Sequence, residues 1–187
     1  NQNIHVEVAI IGTGTAGMGA YREVRKHIDS IALIEGGHYG TTCARVGCMP
    51  SKLLIAPGEL RHNTEKFADF GLQGKIPSVD GKAVMKRVKD ERDRFVGFVN
   101  EDIDSFDEKH RIQAYASFVD DHTLSLSTGG TLTADKIIIA TGSRPNIPGF
   151  FEQAKDLLIT NDDVFYWDDL PKSIAVFGAG VIGLELG

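Results

Sequence analysis

The feature that most constrains the fold is the segment Gly12-Thr-Gly14-Thr-Ala16-Gly17. It lies between an apolar, β-branched run, Val6–Ile11, and a stretch with Met18, Tyr21 and Val24 on one side of a helix. A continuous apolar run of this kind reads as a parallel strand buried on both faces. Gly12 permits the tight turn, Gly14 lets the backbone approach a pyrophosphate, and Gly17 lets the helix pack close to the strand. A helix N-terminus at this point presents free N–H groups and partial positive charge to phosphates. A second buried strand, Ile31–Ile34, leads to Glu35 and the turn Gly36-Gly37. Strand, glycine turn, helix and strand predict a right-handed βαβ unit. Glu35 ends the second strand, where a carboxylate accepts hydrogen bonds from ribose hydroxyls. An adenine dinucleotide is the ligand this combination favours over a bare βα turn.

Further along, Pro50–Leu60 predicts a helix with Pro50 in its first turn, where a missing N–H costs little. Gly71–Gly81 reads as a polar loop. Lys82–Phe106 carries Val84, Val88, Phe95, Val99 and Ile103 at helical spacing, an amphipathic helix with one face on the core. Short β-branched stretches over Arg111–Ile139, punctuated by Asp120-Asp121 and Gly129-Gly130, predict a small antiparallel meander. Its last segment runs into Thr141-Gly142-Ser143 and then Pro145 and Pro148. Ser173–Phe177 reads as a new apolar strand, followed at once by a second glycine turn, Gly178-Ala-Gly180-Val-Ile-Gly183. The expected fold class is α/β: a Rossmann-like domain with a parallel sheet, helices and a small β-meander, then the first strand of a second Rossmann domain. The expected boundaries are 1–150 for the first domain, 151–171 for a connector and 172–187 for the opening of the second, which reads as cut short.

Composition narrows the function. At 187 residues, 42% hydrophobic and 25% charged, the chain has the make-up of an ordinary soluble globular protein. The net charge is −6, with 20 basic against 26 acidic residues and no Lys/Arg cluster, so nucleic acid is not an expected partner. No apolar run approaches a membrane span and no signal peptide is visible, so a soluble cytoplasmic protein without a membrane partner is expected. Two cysteines, Cys43 and Cys48, are too few for a disulfide scaffold or a cysteine-held iron–sulfur cluster. The six histidines, His5, His27, His38, His62, His110 and His122, show no zinc spacing with them, so no metal is expected. They are expected on surfaces or at element ends.

The cysteines lie in Thr42-Cys43-Ala-Arg45-Val-Gly-Cys48-Met-Pro-Ser51-Lys52. If a helix begins near Cys43, both sulfurs fall on one side of it, close enough to close a small disulfide ring. A thiolate in a first helical turn would also be stabilised by the helix dipole. Taken alone, the spacing leaves two free thiols as an equal alternative.

The glycine turn with its distal Glu35, the cysteine segment and Ala140-Thr-Gly-Ser143, taken together, resemble the pyridine nucleotide–disulfide oxidoreductases, over essentially the whole chain. The resemblance implies FAD held by the first domain and NAD or NADP held by the second. It implies that Cys43 is the interchange thiol and Cys48 the charge-transfer thiol of a redox-active disulfide. Lys52 corresponds to the lysine beside the reactive flavin nitrogen, and Glu185 to the glutamate paired with it. Thr15, Ala16, Gly36, Thr42, Ala116, Thr141, Gly142 and Ser143 fall at FAD-contacting positions, alongside Gly12, Gly14, Gly17 and Glu35. Gly178, Gly180 and Gly183 fall at the turn of the NAD(P) domain. A homodimer and a small dithiol or disulfide substrate, including one borne on a lipoyl protein, are implied as partners.

Two departures stand near the implied chemistry. Thr41 replaces the second glycine of the family's Gly-Gly-Thr-Cys, and Arg45 stands where asparagine is common. Both bear on reduction potential and substrate preference. Pro50-Ser51-Lys52 is similar to the branches that oxidise dihydrolipoamide or reduce mercuric ion; glutathione-reducing members commonly carry lysine at Ser51. Dihydrolipoamide is the leading expected substrate. The family's histidine–glutamate acid–base pair has no match here, so turnover by these 187 residues alone is not expected. A flavin-binding redox carrier or sensor serving a protein partner, and a non-redox nucleotide-binding module, remain alternatives.

Overall fold

In the computed structural model, which describes residues 3–187, β1 (Asn3–Ile11) lies near the middle of a six-stranded sheet. The first two residues of the expected 1–150 domain lie outside the described residues. The strand order is β3-β2-β1-β6-β5-β4. β2 (Ile31–Glu35) and β6 (Thr131–Ile139) flank β1 in parallel, with Val8 opposite Ile31 and Val6 opposite Ala134. Between β1 and β2 runs α1 (Thr15–Val24), which completes the βαβ unit.

The meander needs a correction at its start. β3 (Arg111–Gln113) pairs in parallel with β2 at the sheet edge and takes no part in the antiparallel ladder. Only β4 (Ala116–Phe118), β5 (Thr123–Leu126) and β6 form that ladder, and β6 belongs to both halves of the sheet. β3 is too short to show a period, so its partner is set by where the chain returns to the sheet.

Apolar residues fill both faces around β1. On one face Val8, Ile10 and Leu33 pack with Met18 and Tyr21 of α1 and with Ile103. On the other, Val6, Ala9, Ala32 and Ile34 pack with Leu124 and Leu132. Burial on both faces is what an uninterrupted apolar strand requires. His110, only 2% exposed, bridges Tyr21 Oη at 2.9 Å and the Asp29 carbonyl at 2.8 Å. It sits at an element end as expected, but as an interior strut.

The remaining helices are α2 (Thr42–Val46), α3 (Cys48–Glu65), α4 (Gly81–Asp104) and α5 (Val181–Leu186). The helix expected over Pro50–Leu60 is longer at both ends and contains Pro57. Contacts divide the chain into two compact units: the residues up to Thr42 with Val96–Arg144, and Cys43–Phe95 with Pro145–Gly187. The sheet lies in the first unit. The second has its own core, in which Val46, Met85 and Val88 meet Val164 and Phe165. There the buried Arg92 donates to the Phe165 carbonyl at 2.7 Å, and its guanidinium lies 4.8 Å from the Tyr166 ring centre.

Ser173–Phe177, expected as a strand, joins no ladder among the described residues. Ile174, Val176 and Phe177 are correspondingly exposed. A strand exists through its partners, and an apolar run without one stays as extended chain.

Candidate active site

In the first unit, Gly12 follows β1 with φ at +106°, a conformation that favours glycine. A Cβ there would stand 2.3 Å from the Ala140 carbonyl oxygen, so Gly12 is also the residue that lets β6 end alongside. Gly17 packs against the turn itself: a Cβ would come within 1.8 Å of the Gly12 carbonyl oxygen. Gly14 is different. It caps α1 from an extended backbone, and a Cβ on it would meet nothing within 4 Å. Thr15 and Ala16, in the first turn of α1, are exposed beside it. Two glycines thus serve packing, and the third leaves open the space next to the free N–H groups of the helix.

Glu35 is held by three short bonds. Thr13, fully buried, donates from its backbone N–H at 2.9 Å and its hydroxyl at 2.8 Å to one carboxylate oxygen; Gly37 N–H donates to the other at 2.8 Å. Gln113 pins the same turn, its amide donating to the carbonyls of Glu35 at 2.9 Å and Gly37 at 2.8 Å. Thr13 and Gln113 were not singled out from sequence. Gly36 lies under the Tyr115 ring. Ala116 is half-buried in β4 opposite Leu126. Thr141, Gly142 and Ser143 are exposed after β6, with φ at +68° on Gly142. Thr42 is exposed at the start of α2. The open cradle at Gly14 and the fixed carboxylate of Glu35 suit the pyrophosphate and ribose of an adenine dinucleotide.

In the second unit, the cysteine segment is not one helix. Gly47, at φ −134° and ψ −124°, separates α2 from α3, so Cys43 and Cys48 stand on different helices. Their side chains nevertheless meet, and both thiols are free, Cys43 half-buried and Cys48 exposed. The expected lowering of the Cys43 thiol is outweighed. Burial, and then its hydrogen bond with Cys48, push the Cys43 thiol above its ordinary value of 9.0. A five-residue helix offers too small a dipole to offset that. Arg45, between the cysteines, opposes a rise in the Asp162 carboxyl that comes from burial and from Asp163.

Lys52 and Glu185 form an ion pair, their side chains 66% and 25% exposed. The lysine, and after it the Ser51 hydroxyl, hold the Glu185 carboxyl below its ordinary 4.5. Ser51 is buried and its hydroxyl also lies 3.2 Å from the Cys48 carbonyl. Cys48, Ser51, Lys52 and Glu185 thus belong to one connected group.

The second glycine turn repeats the first. Gly178 has φ at +121°, a Cβ on Gly183 would stand 2.0 Å from the Gly178 carbonyl oxygen, and Gly180 has nothing within 4 Å. An apolar cleft of about 1910 Å³, lined by Leu54, Phe67, Ile174 and Val181 among others, runs beside it. Small-molecule pockets span roughly 300–1,000 Å³, so its size and lining mark it as uncovered apolar surface more than a nucleotide pocket.

A βαβ dinucleotide fold, two glycine turns of one design and a juxtaposed thiol pair define the class: a nucleotide-binding redox protein. The family model described as pyridine nucleotide-disulphide oxidoreductase matches residues 6–187, and the chain belongs to that family. Its members use FAD and NAD(P). The chain is 31% identical over 185 residues to a mercuric reductase of Lysinibacillus sphaericus, covering 97% of this chain and 33% of that protein. It is 34% identical over 192 residues to a dihydrolipoyl dehydrogenase of Mycobacterium bovis, covering 98% of this chain and 40% of that one. A dihydrolipoyl dehydrogenase of Haloarcula marismortui is 31% identical over 191 residues, 96% of this chain and 39% of its own. The chain therefore spans between 33% and 40% of the length of these relatives. No helix among the described residues is long and apolar enough to cross a membrane.

Proposed function

We propose that the protein is a flavin-dependent disulfide oxidoreductase, with dihydrolipoamide as its electron donor and NAD⁺ as acceptor, a dihydrolipoyl dehydrogenase. The observation that carries this is the meeting of the Cys43 and Cys48 thiols beside the Ser51–Lys52–Glu185 group. In the oxidised state these cysteines form a disulfide. A substrate thiolate attacks the Cys43 sulfur, and Cys48 leaves as a thiolate. The second substrate thiolate then attacks the substrate sulfur of the mixed disulfide and releases Cys43. One pair of electrons has moved: the substrate dithiol has become a cyclic disulfide and the protein disulfide a dithiol. Of the two substrate protons, one ends on Cys43 and the other passes to a base.

FAD, when bound, supplies the two-electron chemistry between that dithiol and a nicotinamide. Gly12, Gly14, Thr15, Ala16, Gly17, Glu35 and Gly36 hold its adenosine and pyrophosphate, assisted by Thr42, Ala116, Thr141, Gly142 and Ser143. Lys52 carries a positive charge for the reduced flavin, and Glu185 orients it. Gly178, Gly180 and Gly183 cradle the nicotinamide dinucleotide. The working form is a cytoplasmic homodimer, and the substrate is presented on a lipoyl-bearing protein.

Reduction of mercuric ion is the second reading, favoured by the 31% identity to a mercuric reductase. Steady-state assays of the full-length protein separate the two. NAD⁺ reduction with dihydrolipoamide, without mercury-dependent NADPH oxidation, supports the first; the reverse pattern replaces it. Neither activity, with flavin bound, favours a redox carrier for a protein partner.

A further inference from the structure

Tyr115 is an aromatic residue that the chemistry above leaves unused. It follows β3 and is 67% exposed, yet its position is tightly set. Its backbone N–H donates to Ser127 Oγ at 2.9 Å, and its carbonyl accepts from Ser127 N–H at 2.9 Å. Ala114, just before it, donates to the Glu35 carbonyl at 2.8 Å. The ring itself is laid on Gly36: a Cβ there would fall 2.2, 2.5 and 2.6 Å from ring carbons Cδ1, Cγ and Cε1. Only glycine at position 36 allows this placement.

We propose that the Tyr115 ring is the platform on which the adenine of the bound dinucleotide stacks. The inference rests on reading the Gly12–Gly17 turn as the FAD site. Glu35 is the acceptor for the ribose hydroxyls, and adenine is bonded to that same ribose, so the base leaves close to the Glu35–Gly37 turn. An exposed, backbone-anchored ring lies against that turn at Gly36. With both backbone polar groups of Tyr115 taken by Ser127, its contribution to a ligand comes from the side chain. A flat apolar ring with little rotamer freedom suits a purine face, and stacking needs no hydrogen-bond pattern. Gly36 thereby leaves room for the ring, and Gln113, bonded to the carbonyls on either side of it, keeps the shelf in place.

The test is calorimetry on the full-length protein stripped of flavin, with ADP and inorganic pyrophosphate as separate probes. Tyr115→Phe keeps the ring, and Tyr115→Leu removes it from a surface position where folding is not at risk. ADP affinity is expected to be unchanged in Tyr115→Phe and about tenfold weaker in Tyr115→Leu, while pyrophosphate binding is the same in all three. ADP binding by Tyr115→Leu at wild-type strength overturns the platform. Equal weakening of ADP and pyrophosphate in Tyr115→Leu also overturns it, because Tyr115 would then only support the turn. A wild-type protein that binds pyridine nucleotide but neither ADP nor FAD overturns the flavin site itself, and the platform with it.

Discussion

Lys52 and Glu185 are joined by an ion pair although 133 positions separate them, one on α3 beside the thiols and the other on α5 behind the second glycine turn. The lysine sits four positions after the exposed Cys48, so the pair ties the segment after the second glycine turn to the thiol segment of the same unit. Ser51, buried next to Lys52 in the chain, also favours the charged form of the carboxylate.

The first prediction follows from that bonding. Because Glu185 is favoured in its charged form, its side-chain carbon should titrate below 4.5 in an NMR pH series. Lys52→Met should return the midpoint most of the way to the ordinary value, and Ser51→Ala should return it part of the way. A depressed folded-state value means that the pair is intact at neutral pH and fails as pH falls through that value. Both side chains are partly solvated, so global stability should hardly change in either variant.

The glycines of the first turn should separate fold from binding. Gly17→Ala drives a Cβ into the Gly12 backbone, and chain shifts of that kind cost about 1–3 kcal/mol. Gly14→Val has open space and a permitted backbone, so it should fold and melt nearly as the wild type does. It should nonetheless lose flavin, because the new side chain fills the cradle. Thermal melts read beside flavin stoichiometry check both. The pattern to look for is instability without selective loss in the first, and selective loss without instability in the second.

Thiol labelling tests the electrostatics of the cysteines. In reduced, flavin-free protein at neutral pH, iodoacetamide should mark the exposed Cys48 before Cys43, whose thiol is half-buried and raised above 9.0. Labelling of Cys43 should accelerate as pH climbs past that region, since the thiolate is the nucleophile. Added FAD should slow labelling of Cys48 more than of Cys43. Peptide mass spectrometry after timed quenching reads both sites at once.

Much of this architecture was legible in the residues. β1, α1 and β2 follow from continuous apolar runs around a turn in which two glycines are sterically obligatory. The thiol segment was legible as a motif, but not its geometry: the break at Gly47 has no periodic signature, and it puts the cysteines on separate helices. β3 escaped because three residues carry no period and its partner is chosen by tertiary contact. Thr13, Arg92 and His110 were invisible as interior residues, since a polar side chain is buried only where partners distant in sequence satisfy it. The Ser173–Phe177 run was read as a strand from its side chains alone, whereas pairing depends on a neighbour.

The most direct test of the central claim, that Cys48 delivers electrons to a flavin, is the visible spectrum of the full-length protein before and after addition of one equivalent of a two-electron reductant. Flavin bands that gain a long-wavelength charge-transfer shoulder on reduction, with the shoulder absent in Cys48→Ser, are the predicted result. A protein that carries no flavin, or a shoulder that persists in Cys48→Ser, would contradict it.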